Sequence, residues 1–238
     1  FTVALDVTAG LLSLNRCVVN KEAAVAEKTS YHHGDLKNAL LAAADELLQE
    51  KGLQGFTLRA CARRAGVSHT APQHHFRDVK GLLTAVAERG FERLVATLRQ
   101  HLEAAKGDLD EEMFATAKAY AEFAASYPEH FRIMFRSDLV DFGAEQLSAP
   151  VVATFTELTN VILRQRGEVE IDVVGGGVEP PPGVVNDIII GWSHVHGYAH
   201  LRLEGQLGMV PEEAHLEHMR LASRRLAQLI RTQAAESA

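Results

Sequence analysis

The amino-acid sequence predicts an all-α protein, with a three-helix N-terminal domain containing a helix-turn-helix and a larger helical bundle after it. Three observations carry this. Apolar residues recur at steps of three and four along most of the chain, and no segment longer than a few residues alternates with a strand period. The third is an uneven charge distribution. Residues 57–82 hold Arg59, Arg63, Arg64, Arg77 and Lys80 against Asp78 alone, a local +4 in a chain of net charge −7, so the remainder carries −11. A basic module on an acidic body still attracts phosphate locally, because a Debye length of about 8 Å screens the distant acids.

The 238 residues suit one large domain or two modest ones, and 47% hydrophobic with 23% charged residues excludes a mainly disordered or fibrous chain. No apolar run approaches the roughly 18–20 residues that span a bilayer, so no membrane partner is expected. Cys17 and Cys61 are too few for a disulfide framework, which fits a reducing, cytoplasmic setting.

Residues 1–30 are expected to be a variable, poorly ordered extension with some helical tendency around Lys21–Glu27. Phe1–Leu14 has neither a basic leader nor a small-residue cleavage pattern, so it does not read as a signal peptide. A first helix is expected from an Asp35 cap, with Leu36, Leu40, Ala44, Leu47 and Leu48 on one face, ending at Gly52 and Gly55. Thr57 caps a second, short helix with Leu58, Cys61, Ala62 and Ala65 inward. Gly66 supplies a left-handed turn residue, and Ser68 is expected to cap a third helix ending at Phe76. Longer helices are expected over Lys80–Lys106 and Leu109–Ser126, a short one after the Tyr127-Pro128 break to near Phe135, then Gly143–Arg166. Residues 167–183, with five glycines and three prolines, read as a flexible loop, and helices near Val184–Gly205 and Pro211–Thr232 complete the chain.

Two short helices joined by Ala65-Gly66-Val67-Ser68 make a helix-turn-helix over residues 57–76, whose second helix fits a major groove about 12 Å wide. On that helix His69, Thr70, Gln73 and His74 are the candidates for base edges: Gln73 pairs an adenine edge bidentately and the Thr70 methyl suits a thymine methyl. Thr57, Arg59, Ser68 and Lys80 are candidates for phosphate contacts, which fix register without reading sequence, and His75 joins the same face. A helical hairpin that merely packs is the plainer alternative.

The residues Tyr31-His32-His33-Gly34-Asp35-Leu36, then Leu58, Ala62 and Ala65-Gly66-Val67-Ser68, then Ala71-Pro72, His75-Phe76 and Gly81-Leu82-Leu83 resemble the DNA-binding domain of TetR-family regulators. Trp192-Ser193-His194-Val195-His196-Gly197 looks like the signature of that family's WHG-type C-terminal domain. The pattern departs at Gln73, where the family usually has a phosphate-contacting Tyr, and at Val79, where a Lys is frequent. The resemblance implies a DNA-binding domain over residues 31–90 and a regulatory and dimerisation domain over 91–238. It also implies a homodimeric repressor on a palindromic DNA operator, released by a small-molecule effector.

The effector is expected in the body, near Tyr120, Phe131, Phe135, Phe155, Trp192 and His196, where aromatic side chains mix with a few polar groups, Asn160 among them. No Arg or Lys falls among them, so the effector is expected to be largely apolar. No nucleophile elbow, phosphate-cradling loop or Cys beside a base is present, so no catalytic residue and no cofactor is assigned. The row His196, His200, Glu204 sits at helical spacing and motivates an alternative, a helical metal-binding protein or enzyme. Packing of a core explains His196 equally well, and no metal site is assigned.

Overall fold

The computed structural model describes residues 31–171 and 182–237. Among them the chain forms nine α-helices, one 3₁₀ turn and no strand. The helices are α1 (Tyr31–Lys51), α2 (Leu58–Arg64), α3 (Ala71–Phe76), α4 (Val79–Ala105), α5 (Leu109–Ser126), α6 (Pro128–Met134), α7 (Glu145–Arg166), α8 (Pro182–Leu203) and α9 (His215–Ser237). The expected extension at residues 1–30 and most of the loop expected at 167–183 lie outside the described residues.

Two compact units emerge, one of residues up to Gly90 with Glu129–Ser148, the other of Phe91–Pro128 with the chain from Ala149 on. The first unit holds the helix-turn-helix. Its core is built from Leu40, Leu41, Ala44, Leu47 and Leu48 of α1, Cys61 and Ala62 of α2, Phe76 of α3, Leu82, Leu83 and Val86 of α4, and Phe131, Ile133 and Met134 of α6. The stripe expected on α1 is therefore the buried one, with Leu36 half-buried at its end. Burial also pushes the Cys61 thiol up to about 11, so it stays protonated and behaves as a small apolar side chain. Helices α4 and α6 approach closely at Gly90, where an added Cβ would lie 3.3 Å from Met134 Sδ and 3.6 Å from His130 Cβ.

Local chemistry sets the helix ends. Thr57 caps α2, its hydroxyl oxygen accepting from the Ala60 N–H at 3.1 Å. Asp108 caps α5 by accepting from the Asp110 and Glu111 N–H groups, both at 3.1 Å, and Asp110, Glu111 and Glu112 fill the first turn, where the helix dipole favours anions.

Two expected caps are corrected. Helix α1 starts at Tyr31, so Asp35 lies inside it; the amides without intrahelical acceptors are those of the turn ahead of Asp35. Ser68 does not cap α3, which begins at Ala71 with Thr70 in the cap position and no side-chain cap bond. The i→i−4 bond that would open a helix at Ser68 needs an N–H at position 72, and Pro72 has none. Ser68 instead shares a hydroxyl–hydroxyl bond of 3.1 Å with Thr70, and its carbonyl closes a turn to the Ala71 N–H.

The second unit packs α5 against both α8 and α9. Leu102, Met113, Val161, Ile162, Leu163, Val184, Ala227 and Ile230 form its apolar centre, with Ile171, Ile188 and Leu226 against them. Two ion pairs are sunk into this unit: Arg164 with Glu112 at 2.5 Å, and Arg166 with Asp187 at 2.6 Å, Asp187 being only 2% exposed. Removing one partner of such a pair leaves a buried charge uncompensated, so each pair locks its two helices together. Asn160 donates to the Ile171 carbonyl and accepts from the Ile171 N–H, at 3.0 and 2.9 Å. Its polar group therefore fastens the segment after α7.

Candidate functional site

In the first unit, α2 and α3 are joined through Gly66, whose φ of +69° favours glycine, and Val67 donates back to the Ala62 carbonyl at 3.0 Å. This sharp turn leaves His69, Thr70, Gln73 and His74 exposed, while Pro72 and Phe76 are buried behind them. The four predicted base-reading positions are thus all exposed, Gln73 and His74 on α3 and His69 and Thr70 in the turn ahead of it rather than on the helix. His75 is half-buried, its ring 6.1 Å from that of Phe76. Thr57, Arg59 and Arg63 surround an open cleft with Val67 and His69 beside them. The Thr57 hydroxyl caps α2, and Arg59 and Arg63 are exposed cations at the cleft wall.

The basic side chains differ in availability. Arg64 is held by Glu50 at 2.5 Å and Glu46 at 3.0 Å, both on α1, and in return the guanidinium keeps the Glu50 carboxyl below its ordinary range. Lys80 donates to the Ser137 carbonyl at 3.2 Å, and its charge also acts on the nearby Asp138 carboxylate, which Arg136 holds more strongly. Arg77, between α3 and α4, is the non-glycine residue with positive φ (65°) among the described residues. The turn that forces it also brings position 81 against the Phe76 carbonyl: a Cβ at Gly81 would lie 2.0 Å from that oxygen. Asp78 completes the turn by accepting from the Gly81 N–H at 2.8 Å.

The six residues expected around an effector divide between the units. Phe131 and Phe135 belong to the first, where their rings pair edge-on at 5.8 Å. Tyr120, Phe155, Trp192 and His196 come together in the second. Phe155 and Trp192 meet edge-on at 5.3 Å, Trp192 and His196 at 5.8 Å. The fully buried Tyr120 hydroxyl lies 2.8 Å from His196 Nδ1 and accepts from the Trp192 indole N–H at 3.3 Å. Burial, with a smaller contribution from the charge of His200, pushes His196 down to about 4, so the imidazole in this network is neutral.

Trp192 also faces a small cavity enclosed by α5, α7, α8 and α9, about 20 Å³ as it stands and walled mainly by Met113, Leu158, Ile162, Ile188 and Leu226. None of its lining side chains is charged. The sequence reading passed over His194 and Ser223 in that lining. The signal was available for Ser223, a polar residue on the inward row Met219, Ser223, Ala227, Ile230 of α9. Among the described residues no three His, Cys, Asp or Glu side chains gather closely enough to hold a metal ion. His196 and His200 stack in parallel at 6.3 Å and form no ligand set with Glu204.

An exposed polar recognition helix on a basic helix-turn-helix, with a separate all-helical unit behind it in the chain, defines a DNA-binding transcriptional regulator rather than an enzyme. Comparison with known proteins names the family. A profile described as "Bacterial regulatory proteins, tetR family" matches residues 40–86, and one described as "Tetracyclin repressor-like, C-terminal domain" matches residues 113–225. The HTH-type transcriptional activator FasR of Mycolicibacterium smegmatis is 30% identical over 104 residues, covering 44% of this chain and 47% of that protein. The chain thus spans about half the length of the curated relative it matches. A solved structure of a protein of unknown function from Rhodococcus sp. RHA1 is similar at 31% identity and TM-score 0.67, over 84% of this chain and 98% of that one. The fold is also shared with a TetR-family transcriptional regulator from Streptomyces coelicolor, at 19% identity and TM-score 0.57, over 82% and 99% of the two chains. The chain belongs to the TetR family of transcriptional regulators. No described helix is long and apolar enough to cross a membrane.

Proposed function

We propose that the chain is a ligand-responsive repressor that binds a palindromic operator as a homodimer and is released by a small, largely apolar effector. The observation that carries the reading is the exposure of His69 and Thr70 in the turn leading into α3 and of Gln73 and His74 on α3, with Arg59 and Arg63 beside His69. Gln73 and Thr70 read bases; Arg59, Lys80 and the exposed Ser68 fix register on phosphates.

A second copy is supported by unpartnered apolar side chains on the last two helices. Val185, Ile189 and Ile190 on α8 and Leu216, Leu221 and Leu229 on α9 are all more than a third exposed, while Met219, Ala227 and Ile230 of α9 are buried. One face of α9 packs on its own unit and the other suits a twin, an arrangement natural to a two-fold interface. Two recognition helices related by such an axis meet half-sites about 34–36 Å apart, or a multiple of that.

Footprinting on the DNA flanking the protein's own gene tests the reading, joined to a reporter driven by the protected promoter. Protection over an inverted repeat with lower reporter output supports a repressor. Protection with raised output assigns the activating sign that the relative's name carries, and absence of any protected site removes the operator reading.

A further inference from the structure

Three energetically unfavourable choices converge on the cavity in the second unit. Ser223 is 1% exposed, lines the cavity, and its hydroxyl oxygen has no hydrogen-bond partner; His194 Nε2, in the same lining, is likewise buried without one. Buried polar groups are ordinarily paired, and an orphan forfeits its hydration for nothing. Desolvation also holds His194 below the ordinary imidazole range, so it is neutral there. The third choice is Gly191, also lining the cavity in the middle of α8, where alanine is the better helix former. Space does not demand glycine: an added Cβ would sit 3.5 Å from Ile162 Cδ1 and 4.0 Å from Leu226 Cδ2, ordinary contact distances. A missing methyl group and two unpaired polar atoms keep one apolar cavity both open and thirsty for a hydrogen bond.

We infer that this cavity is the effector site and that its ligand is an uncharged, slender apolar molecule carrying one hydroxyl, held between His194 and Ser223. The inference rests on the ligand-responsive reading above and narrows it to a ligand class. A hydroxyl donates to one partner while accepting from the other, so it satisfies both atoms whichever ring nitrogen of His194 bears the proton. A carboxylate would be desolvated among side chains that offer no cation, and a pure hydrocarbon would leave both orphans unpaired. As it stands the cavity admits about one water molecule. A longer ligand must therefore push aside the flexible ends of Met113, Ile162 and Leu226, parting α9 from α5 and α7. This is the differential fit that lets a ligand bias one packing over another.

The test uses 1-hexanol as probe, with hexyl methyl ether and hexanoate beside it, on the full chain, read by the fluorescence of Trp192, the chain's single tryptophan. Saturable binding of hexanol, at least 5-fold weaker binding of the ether and none of hexanoate are expected. Ser223→Ala should weaken hexanol at least 5-fold while holding or raising the melting temperature, because it deletes an orphan; Gly191→Leu should abolish the saturable response. No saturable hexanol signal, or equal affinity in Ser223→Ala, overturns the inference. So does a lowered melting temperature in Ser223→Ala, which assigns the pair to a structural water. Operator release is measured separately. Hexanol that binds as expected but leaves the operator complex intact keeps the site and removes its effector role. An effector that releases the operator equally well from Ser223→Ala keeps the ligand-responsive reading and removes this site.

Discussion

Asp45 of α1 and His130 of α6 lie 3.1 Å apart, carboxylate oxygen to Nε2, with Arg89 of α4 at 3.6 Å from the other carboxylate oxygen. His130 is buried and comes from far along the sequence, yet it meets the carboxylate that also faces Arg89 of the long helix. Asp45→Ala should destabilise the protein by about 2–4 kcal/mol, since it strands a buried imidazole and a half-buried guanidinium without their anion. Thermal unfolding by circular dichroism measures this, and Asp45→Asn, which keeps shape and a hydrogen bond, should cost less.

The recognition face predicts two distinguishable outcomes on DNA. Gln73→Ala should lose about 1–3 kcal/mol on the preferred operator and relax preference at one base pair. Arg59→Ala should weaken every sequence alike. Competition binding against single-base operator variants separates them, and unchanged preference in Gln73→Ala would mean that α3 does not read bases through this residue.

The turn between α3 and α4 predicts opposite effects at two positions four residues apart. Arg77→Gly should raise stability by about 1 kcal/mol by relieving a left-handed φ. Gly81→Ala should lower it by about 2–3 kcal/mol, because its methyl group meets the Phe76 carbonyl oxygen at 2.0 Å, a backbone atom that cannot swing aside. Denaturant unfolding of both variants provides the comparison.

A pH dependence follows from His196. The unfolded chain protonates this residue near 6.5, whereas the folded chain resists until about 4. Between those values the unfolded state binds more protons, so stability falls as the pH drops through 6.5 toward 4 and this contribution levels off below. The melting-temperature advantage of wild type over His196→Phe should shrink steadily from pH 7 to pH 4.5.

Assembly can be tested on α9. Leu221→Glu and Leu229→Glu alter exposed apolar positions and should yield folded monomers by sedimentation velocity. Leu226→Glu is not an equivalent probe, because Leu226 packs against the core of its own unit and the charge should unfold it.

Much of this architecture is legible in the sequence because helical periodicity is a local signal. Leu40, Ala44, Leu47 and Leu48 announce the buried side of α1, and the Gly66 turn places Gln73 on a free face. Relations between distant segments are not written in any local pattern. Nothing near Phe131 or Phe135 shows that residues 129–148 fold with the DNA-binding helices, and proximity in the sequence to α5 suggests the opposite. Spacing likewise shows that Tyr120 and His196 need partners without showing that they are each other's. The Ser68 cap failed for a local reason, the missing amide of Pro72, which tolerates a helix after it but withholds the bond that would start one earlier.

The clamp of Glu46 and Glu50 on Arg64 changes what the basic segment offers to a polyanion. Binding to DNA is driven largely by ions released from the duplex when protein cations replace them, about 0.9 for each phosphate neutralised. A guanidinium already neutralised by two carboxylates of its own chain displaces none. The logarithmic salt dependence of operator binding should therefore count one phosphate fewer per subunit than the basic residues suggest. Replacing both acids, Glu46→Gln with Glu50→Gln, frees Arg64 and should steepen it and strengthen attachment to DNA of any sequence. In this arrangement α1 trades indiscriminate affinity for a larger share of binding decided by bases.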